Sequence, residues 1–96
     1  MKTSILVVDD ETAFLESVER MLRLEGYKDV TLVSRPTEVE GLLEENSFDA
    51  AFLDITMPEM DGLEVLKLIK ERSPETECVM VTANDSIPLV IKAVHT

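Results

Sequence analysis

The amino-acid sequence predicts a single α/β domain built on a parallel β-sheet. Short apolar runs alternate with longer segments whose apolar residues recur at helical spacing. No repeat, linker or low-complexity stretch interrupts this alternation, and a chain of 96 residues holds one domain. Hydrophobic residues make up 45% of the chain and are spread along it, which excludes a disordered tail. We therefore expect one compact domain over residues 1–96.

Four strands are predicted, each ending in a polar or turn residue. The run at residues 5–8 is continuously apolar, which is typical of a central parallel strand covered on both faces. The other three runs lie at residues 30–33, 50–53 and 79–81. Because crossovers between parallel strands are right-handed, the carboxyl ends of these strands should meet at one edge of the sheet.

Four helices are predicted between and after the strands. The first ends at Gly26, a suitable left-handed cap, the second begins near Pro36, and the third ends before Pro74. The fourth is capped by Asp85 or Ser86 and continues to the end of the chain. The residues expected to face the core are Phe14, Val18, Met21 and Leu22 in the first helix, Val39, Leu42 and Leu43 in the second, Leu63, Leu66 and Ile69 in the third, and Ile87, Val90, Ile91 and Val94 in the fourth.

Carboxylates follow two of the predicted strands. Asp9 and Asp10 come directly after the first strand, and Asp54 follows the third. Ligands bind at this edge of open α/β sheets. Three carboxylates brought together repel one another, and a hard divalent cation with oxygen ligands relieves that repulsion. Mg²⁺ keeps several waters and takes one or two carboxylates plus a phosphate oxygen, so it suits an open site.

A carboxylate beside Mg²⁺ can act as a nucleophile toward a phosphoryl group. Asp54 is the better candidate because it stands alone at its strand end, whereas Asp9 and Asp10 are adjacent and can share the metal. Thr82, at the end of the fourth predicted strand, offers a hydroxyl that could bond a phosphoryl oxygen. Taken singly, each of these residues has an ordinary structural explanation, as a helix cap or strand-end residue, and the case depends on their arrangement.

Charge and composition exclude several classes of function. Twenty acidic and nine basic side chains give a formal net charge of −11, which opposes direct contact with nucleic acid. The apolar runs are too short to span a bilayer, and the N-terminus carries no secretory pattern. A single cysteine, Cys78, agrees with a reducing compartment, so we expect a cytoplasmic protein.

Three motifs together resemble the response-regulator receiver family of two-component signalling systems. Residues 5–11 (ILVVDDE) are similar to its acidic first-strand motif, and residues 54–62 (DITMPEMDG) to its phosphorylation-site motif. Residues 81–83 (VTA) are similar to its switch motif, and the resemblance covers the whole chain. It is closest to the version that often precedes transcriptional-activator output domains.

The resemblance implies a fold and a role for each site residue. The fold is a flavodoxin-like, doubly wound sheet of order 2-1-3-4-5, which is the strand order of the receiver family. Asp54 is then the residue that takes a phosphoryl group from a phosphohistidine on a sensor histidine kinase. Asp10, Asp54 and the backbone carbonyl of Thr56 bind Mg²⁺, Asp9 acts mainly through metal-bound water, and the Thr82 hydroxyl turns toward the phosphoryl group.

The sequence departs from the family after the fourth strand. The family continues with a fifth strand, a lysine that contacts the phosphoryl group, and a fifth helix, none of which is predicted here. Lys92 lies in the last helical pattern and cannot be assigned the lysine's role. We therefore expect a C-terminally incomplete receiver domain whose fourth strand has an edge open to another chain, as in a homodimer.

Three functions of different classes remain open at this point. The main hypothesis is a phosphorylation-controlled switch that loses its own phosphoryl group slowly and is not a turnover enzyme. The alternative is an interaction module of the same fold that dimerises without phosphorylation. A Mg²⁺-dependent phosphohydrolase ranks third, because no further acid or base is placed to serve it.

Overall fold

The predicted parallel sheet is present in a computed structural model, which describes residues 3–54, 62–82 and 90–94. The sheet has the order β2-β1-β3-β4-β5. Its strands are β1 (Ser4–Val8), β2 (Asp29–Val33), β3 (Ala50–Asp54), β4 (Glu77–Thr82) and β5 (Val90–Val94). The pairs β1·β2, β1·β3 and β3·β4 are all parallel, so the predicted order 2-1-3-4 is confirmed.

Within the described residues, three helices cover the two faces of the sheet. They are α1 (Thr12–Leu24), α2 (Val39–Glu45), which follows a 3-10 turn at Pro36–Glu38, and α3 (Gly62–Arg72). Gly26 ends α1 with a φ of 102°, and the N–H of Tyr27 donates to the carbonyl of Leu22 at 3.0 Å. This is the left-handed glycine cap that the sequence predicts. None of the described helices is long and apolar enough to cross a membrane.

Two apolar clusters hold the layers together, one on each face of the sheet. On the face covered by α2 and α3, Leu6, Leu53, Val65 and Ile69 are fully or almost fully buried. On the α1 face, the buried residues are Ile5, Val7, Leu15, Val18 and Leu22. Because β1 contributes alternate side chains to both clusters, it is the central strand that its continuous apolar run predicts.

Two helix-face predictions were wrong in detail. Met21 is 46% exposed, whereas Leu15, which was not predicted to face the core, is buried. Leu63 is 62% exposed, whereas Val65 occupies the buried position at that end of α3. Neighbouring apolar residues on a helix compete for one buried stripe, and the position of the sheet decides between them.

The last element differs from the prediction. Residues 90–94 were expected in a helix, but they form β5, which pairs antiparallel with β4 from Thr82↔Val90 to Cys78↔Val94. The sheet therefore has a fifth strand, although it runs opposite to the other four. The edge of β4 that was expected to be open to another chain is hydrogen-bonded to β5, so that expectation was wrong, whereas the homodimer stays a prediction.

Candidate phosphoacceptor and metal site

The candidate site is built where β1 and β3 end side by side. The register of the two strands pairs Val8 with Leu53, so the next residues, Asp9 and Asp54, emerge at the same edge of the sheet. Asp10 follows immediately. The three side chains each offer a carboxylate oxygen, and these oxygens all lie within 4.8 Å of one another. The structure therefore brings together the three carboxylates singled out in the sequence.

Asp9 is held firmly by the elements on either side of it. Its backbone N–H donates to the carbonyl of Val33, at the end of β2, over 3.0 Å. Its Oδ1 accepts a hydrogen bond of 2.9 Å from the backbone N–H of Glu11, the residue that precedes α1. The carboxylate thus also satisfies a backbone donor at the start of α1, which was the ordinary structural role considered for it.

The electrostatics of the cluster are unfavourable to three negative charges. The pKa of Asp9 is raised from its ordinary 3.8 to about 6, mainly by burial and in smaller part by the charges of Asp54 and Asp10. The hydrogen bond from the N–H of Glu11 acts in the opposite direction but is outweighed. A group with this pKa is ionised at neutral pH at a cost in free energy, which a cation at the site would remove.

Exposure changes steadily across the cluster. Asp9 is only 6% exposed, Asp54 is half-buried, and Asp10 is exposed. One side of the site is thus fixed within the protein, and the other is open to water and to an incoming group. Oxygen donors in a half-open site fit Mg²⁺, which dehydrates reluctantly and retains waters among its ligands.

Two further predicted site residues are placed only in part. Thr82 is the last residue of β4, directly after Val81, which pairs with Asp54. Its backbone therefore lies at the same edge of the sheet as the three carboxylates. Thr56 lies outside the described residues, as does most of the predicted phosphorylation-site motif after Asp54.

Sequence reasoning missed the backbone partners of Asp9. The carbonyl of Val33 and the N–H of Glu11 have no signature of their own in the sequence. Aspartate side chains often accept from the backbone N–H two residues further on, so the position of Asp9 two residues before Glu11 is itself a signal for the second partner.

Known proteins share this fold and this sequence pattern. The model of the response regulator receiver domain matches residues 5–96. The chain is 39% identical over 87 residues to response regulator MprA from Mycobacterium sp. strain KMS. It is 38% identical over 91 residues to the alginate biosynthesis transcriptional regulatory protein AlgB from Pseudomonas aeruginosa. These matches take in 91% and 95% of this chain but only 37% of MprA and 20% of AlgB.

Solved structures agree with the sequence comparisons. A CheY-like receiver domain from Methanospirillum hungatei has a TM-score of 0.81 at 34% identity, over 91% of this chain and 69% of that chain. The response regulator TrrA from Thermotoga maritima, solved in complex with Mg²⁺-BeF, has a TM-score of 0.79 at 32% identity, over 90% of this chain and 73% of that chain. The chain, with its parallel 2-1-3-4 strands and its three clustered aspartates, therefore belongs to the response regulator receiver domain family.

Proposed function

We propose that this receiver domain is a phosphoacceptor switch in which Asp54 takes a phosphoryl group from a sensor histidine kinase. The observation that carries the proposal is the cluster of three carboxylates, with Asp54 half-buried at the end of β3. A half-buried carboxylate has a fixed direction of approach and still reaches a donor in solvent. Membership of the family and the likeness to AlgB and MprA support a signalling role that feeds a transcriptional output.

Mg²⁺ is the cofactor that the donor set fits. Asp9, Asp10 and Asp54 would hold it, together with the backbone carbonyl of Thr56 that the family resemblance implies. When bound, the ion neutralises negative charge on the oxygens of the transferring group. The complex of TrrA with Mg²⁺-BeF is consistent with this assignment.

Each of the three clustered aspartates has a distinct role in the proposed transfer. A carboxylate oxygen of Asp54 attacks the phosphorus of a phosphoimidazole, and the phosphorus–nitrogen bond breaks. The electron pair of that bond goes to the imidazole nitrogen, which takes up a proton from solvent, and Asp54 becomes an aspartyl phosphate. Asp9 is held by Val33 and Glu11 and fixes the inner side of the site, while exposed Asp10 lies on the solvent side.

Thr82 is the proposed sensor of the new phosphoryl group. It ends β4 at the site edge, and its hydroxyl would donate to a phosphoryl oxygen of the modified Asp54. That bond has no counterpart before phosphorylation, so it favours one conformation of the β4 end after transfer. The proposed partner is a cytoplasmic histidine kinase domain, and the domain loses its phosphoryl group slowly without turning over a substrate.

The decisive experiment is phosphorylation by a small donor. The protein is incubated with Mg²⁺ and acetyl phosphate, and its intact mass is measured. We expect a gain of one phosphoryl group that disappears in Asp54→Ala and persists in Asp29→Asn, a matched control at the opposite end of the sheet.

Two results would overturn the proposal. A phosphoryl gain that persists in Asp54→Ala would assign the acceptor elsewhere. If a longer chain that includes the family's fifth strand and lysine binds Mg²⁺ but shows no gain, the domain is an interaction module of the same fold, and the switch is wrong.

A further inference from the structure

The outer side of β2 is open in the part of the chain that the structure describes. The strand comes first in the sheet order, so it pairs with β1 alone. The carbonyl of Val33 accepts from the N–H of Asp9 and therefore points toward β1. Because the backbone groups of successive residues point to opposite sides of a strand, those of Val30 and Leu32 point away from β1. This side of β2 thus offers backbone donors and acceptors to a further strand.

A groove lies beside this open side, between β2 and α2. It is lined by Thr31 and Val33 of β2 and by Thr37, Gly41 and Leu42. Val33 belongs to the apolar cluster on the α2 face, and Thr31, two residues earlier in the strand, lies on the same face. A strand added to β2 would direct every second side chain toward this face, so one of its side chains would enter the groove.

Gly41 is the unusual residue among those that line the groove. A glycine inside a helix costs stability relative to alanine, because its backbone loses more freedom on folding. Neither packing nor conformation requires a glycine at this position. A Cβ added to Gly41 would meet no atom within 4 Å, and its φ is not in the left-handed region. What the missing side chain does is leave the groove open next to the free side of β2.

The charge of the groove indicates what could occupy it. Among the described residues that line it, every charged one is an exposed glutamate: Glu38, Glu44 and Glu45. A second copy of the chain, with a net charge of −11, would be repelled by these carboxylates. A segment with basic side chains would be attracted to them. Charge complementarity therefore favours a basic partner over self-association at this surface.

We propose that β2 and this groove bind an extended, basic segment of a partner protein, which adds a strand to the sheet. The backbone of the segment pairs with Val30 and Leu32, and an apolar side chain enters the groove beside Gly41. Lysine or arginine side chains that flank it lie near the glutamates. The surface uses no residue of the aspartate cluster, so the inference does not depend on the proposed phosphoacceptor function.

The experiment uses a short fluorescein-labelled peptide of alternating lysine and valine as the probe. Its binding to the protein is measured by fluorescence anisotropy, and we expect saturation. Methylation of alternate peptide nitrogens keeps the charge and the apolar side chains but removes the N–H groups that pair with β2. The methylated peptide should therefore bind at least about tenfold more weakly, which separates strand addition from general electrostatic attraction.

Variants of the protein locate the binding surface. Gly41→Leu fills the groove and should weaken binding at least about tenfold, while the melting temperature should not fall, because leucine favours a helix and the space is open. Glu38→Gln combined with Glu45→Gln should weaken binding about threefold or more at low salt. Glu16→Gln combined with Glu75→Gln removes the same charge from exposed positions outside the groove, and is the matched control that should keep the wild-type affinity.

Four results would overturn the proposal. Absence of binding would show that β2 does not accept a strand of this chemistry. Equal affinity for the methylated peptide would mean that charge alone holds the probe. Unchanged affinity in Gly41→Leu would place the peptide elsewhere on the protein. If light scattering shows a dimer that Gly41→Leu abolishes, the occupant is a second copy of the chain and not a basic partner.

Discussion

The polar groups at the two ends of the sheet differ in their partners: those at the amino end are paired as donors and acceptors, and those at the carboxyl end are clustered carboxylates. At the amino end, Thr76 is completely buried, and its hydroxyl donates to the carbonyl of Phe48 over 2.7 Å. Because the Thr76 hydroxyl proton is used in that bond, the Ser73 hydroxyl, whose oxygen is 2.7 Å from that of Thr76, is the donor between the two hydroxyl groups. At the carboxyl end, three carboxylates lie within 4.8 Å of one another, and burial raises the pKa of Asp9 to about 6.

This difference separates a structural polar network from a functional one. The amino end pairs donors with acceptors, which stabilises the connections before β3 and β4. The carboxyl end places acceptors against acceptors, which costs free energy unless a cation is present. Sites that sacrifice stability in this way are typical functional sites.

The largest change in the free energy of unfolding is expected from Thr76→Val. This change removes both hydroxyl hydrogen bonds and leaves the carbonyl of Phe48 without its donor, so the free energy of unfolding should fall by about 2–3 kcal/mol. Urea denaturation measures the change, and Thr76→Ser, which keeps the hydroxyl, is the matched control. A loss as large in Thr76→Ser would show that the methyl group, not the hydroxyl, stabilises this end.

In the absence of Mg²⁺, Asp9→Asn is expected to raise the free energy of unfolding, whereas Thr76→Val lowers it. The amide oxygen can still accept from the N–H of Glu11 while the buried charge is gone, so stability at pH 7 should rise by about 1–2 kcal/mol. The folded-state pKa of Asp9, about 6, lies above its ordinary 3.8, so the folded state binds the proton more tightly and acidification stabilises it.

The stability difference between Asp9→Asn and the wild type should therefore shrink below pH 6 and vanish near pH 4. Denaturation curves measured across this pH range test the claim. A difference that stays constant with pH would show that the charge of Asp9 is not its cause.

Binding of Mg²⁺ is expected to raise the free energy of unfolding by a similar or somewhat smaller amount. At ten times its dissociation constant, the ion should raise the free energy of unfolding by about 1.4 kcal/mol. Asp10→Ala should need at least about tenfold more Mg²⁺ for the same gain, whereas Asp29→Asn should behave as the wild type. Thermal melts at graded Mg²⁺ concentrations provide the measurement, and unchanged affinity in Asp10→Ala would refute the proposed ligand set.

The smallest effect is expected at the surface between α2 and α3, where Arg72 pairs with Glu40. Both side chains are about half exposed, so Arg72→Gln should change stability by less than about 0.5 kcal/mol. Mg²⁺ affinity should not change. A larger loss of stability would mean that this ion pair fixes the helices as firmly as the Thr76 network fixes the strands.

The sequence pattern by itself predicted the meeting of the three aspartates, whereas the strand order through β4 was implied by the resemblance of the motifs to the receiver family. Strand-length apolar runs separated by helix-length segments predict parallel strands, and right-handed crossovers bring the carboxyl ends of parallel strands to one edge of the sheet. The order of strands and helices in the sequence therefore predicts that Asp54 lies beside Asp9 and Asp10. The sequence also predicted the cap at Gly26, because few residues other than glycine adopt a positive φ.

Tertiary structure alone decided which neighbouring residues are buried and what the last segment becomes. Met21 and its neighbour Leu22 are both apolar, and the orientation of α1 on the sheet buries Leu22 and leaves Met21 46% exposed. Residues 90–94 have a helical pattern, but the unpaired edge of β4 offers backbone hydrogen bonds that sequence periodicity does not register. The raised pKa of Asp9 likewise depends on burial and on charges brought from β3, which are separated from it by more than forty positions in the chain.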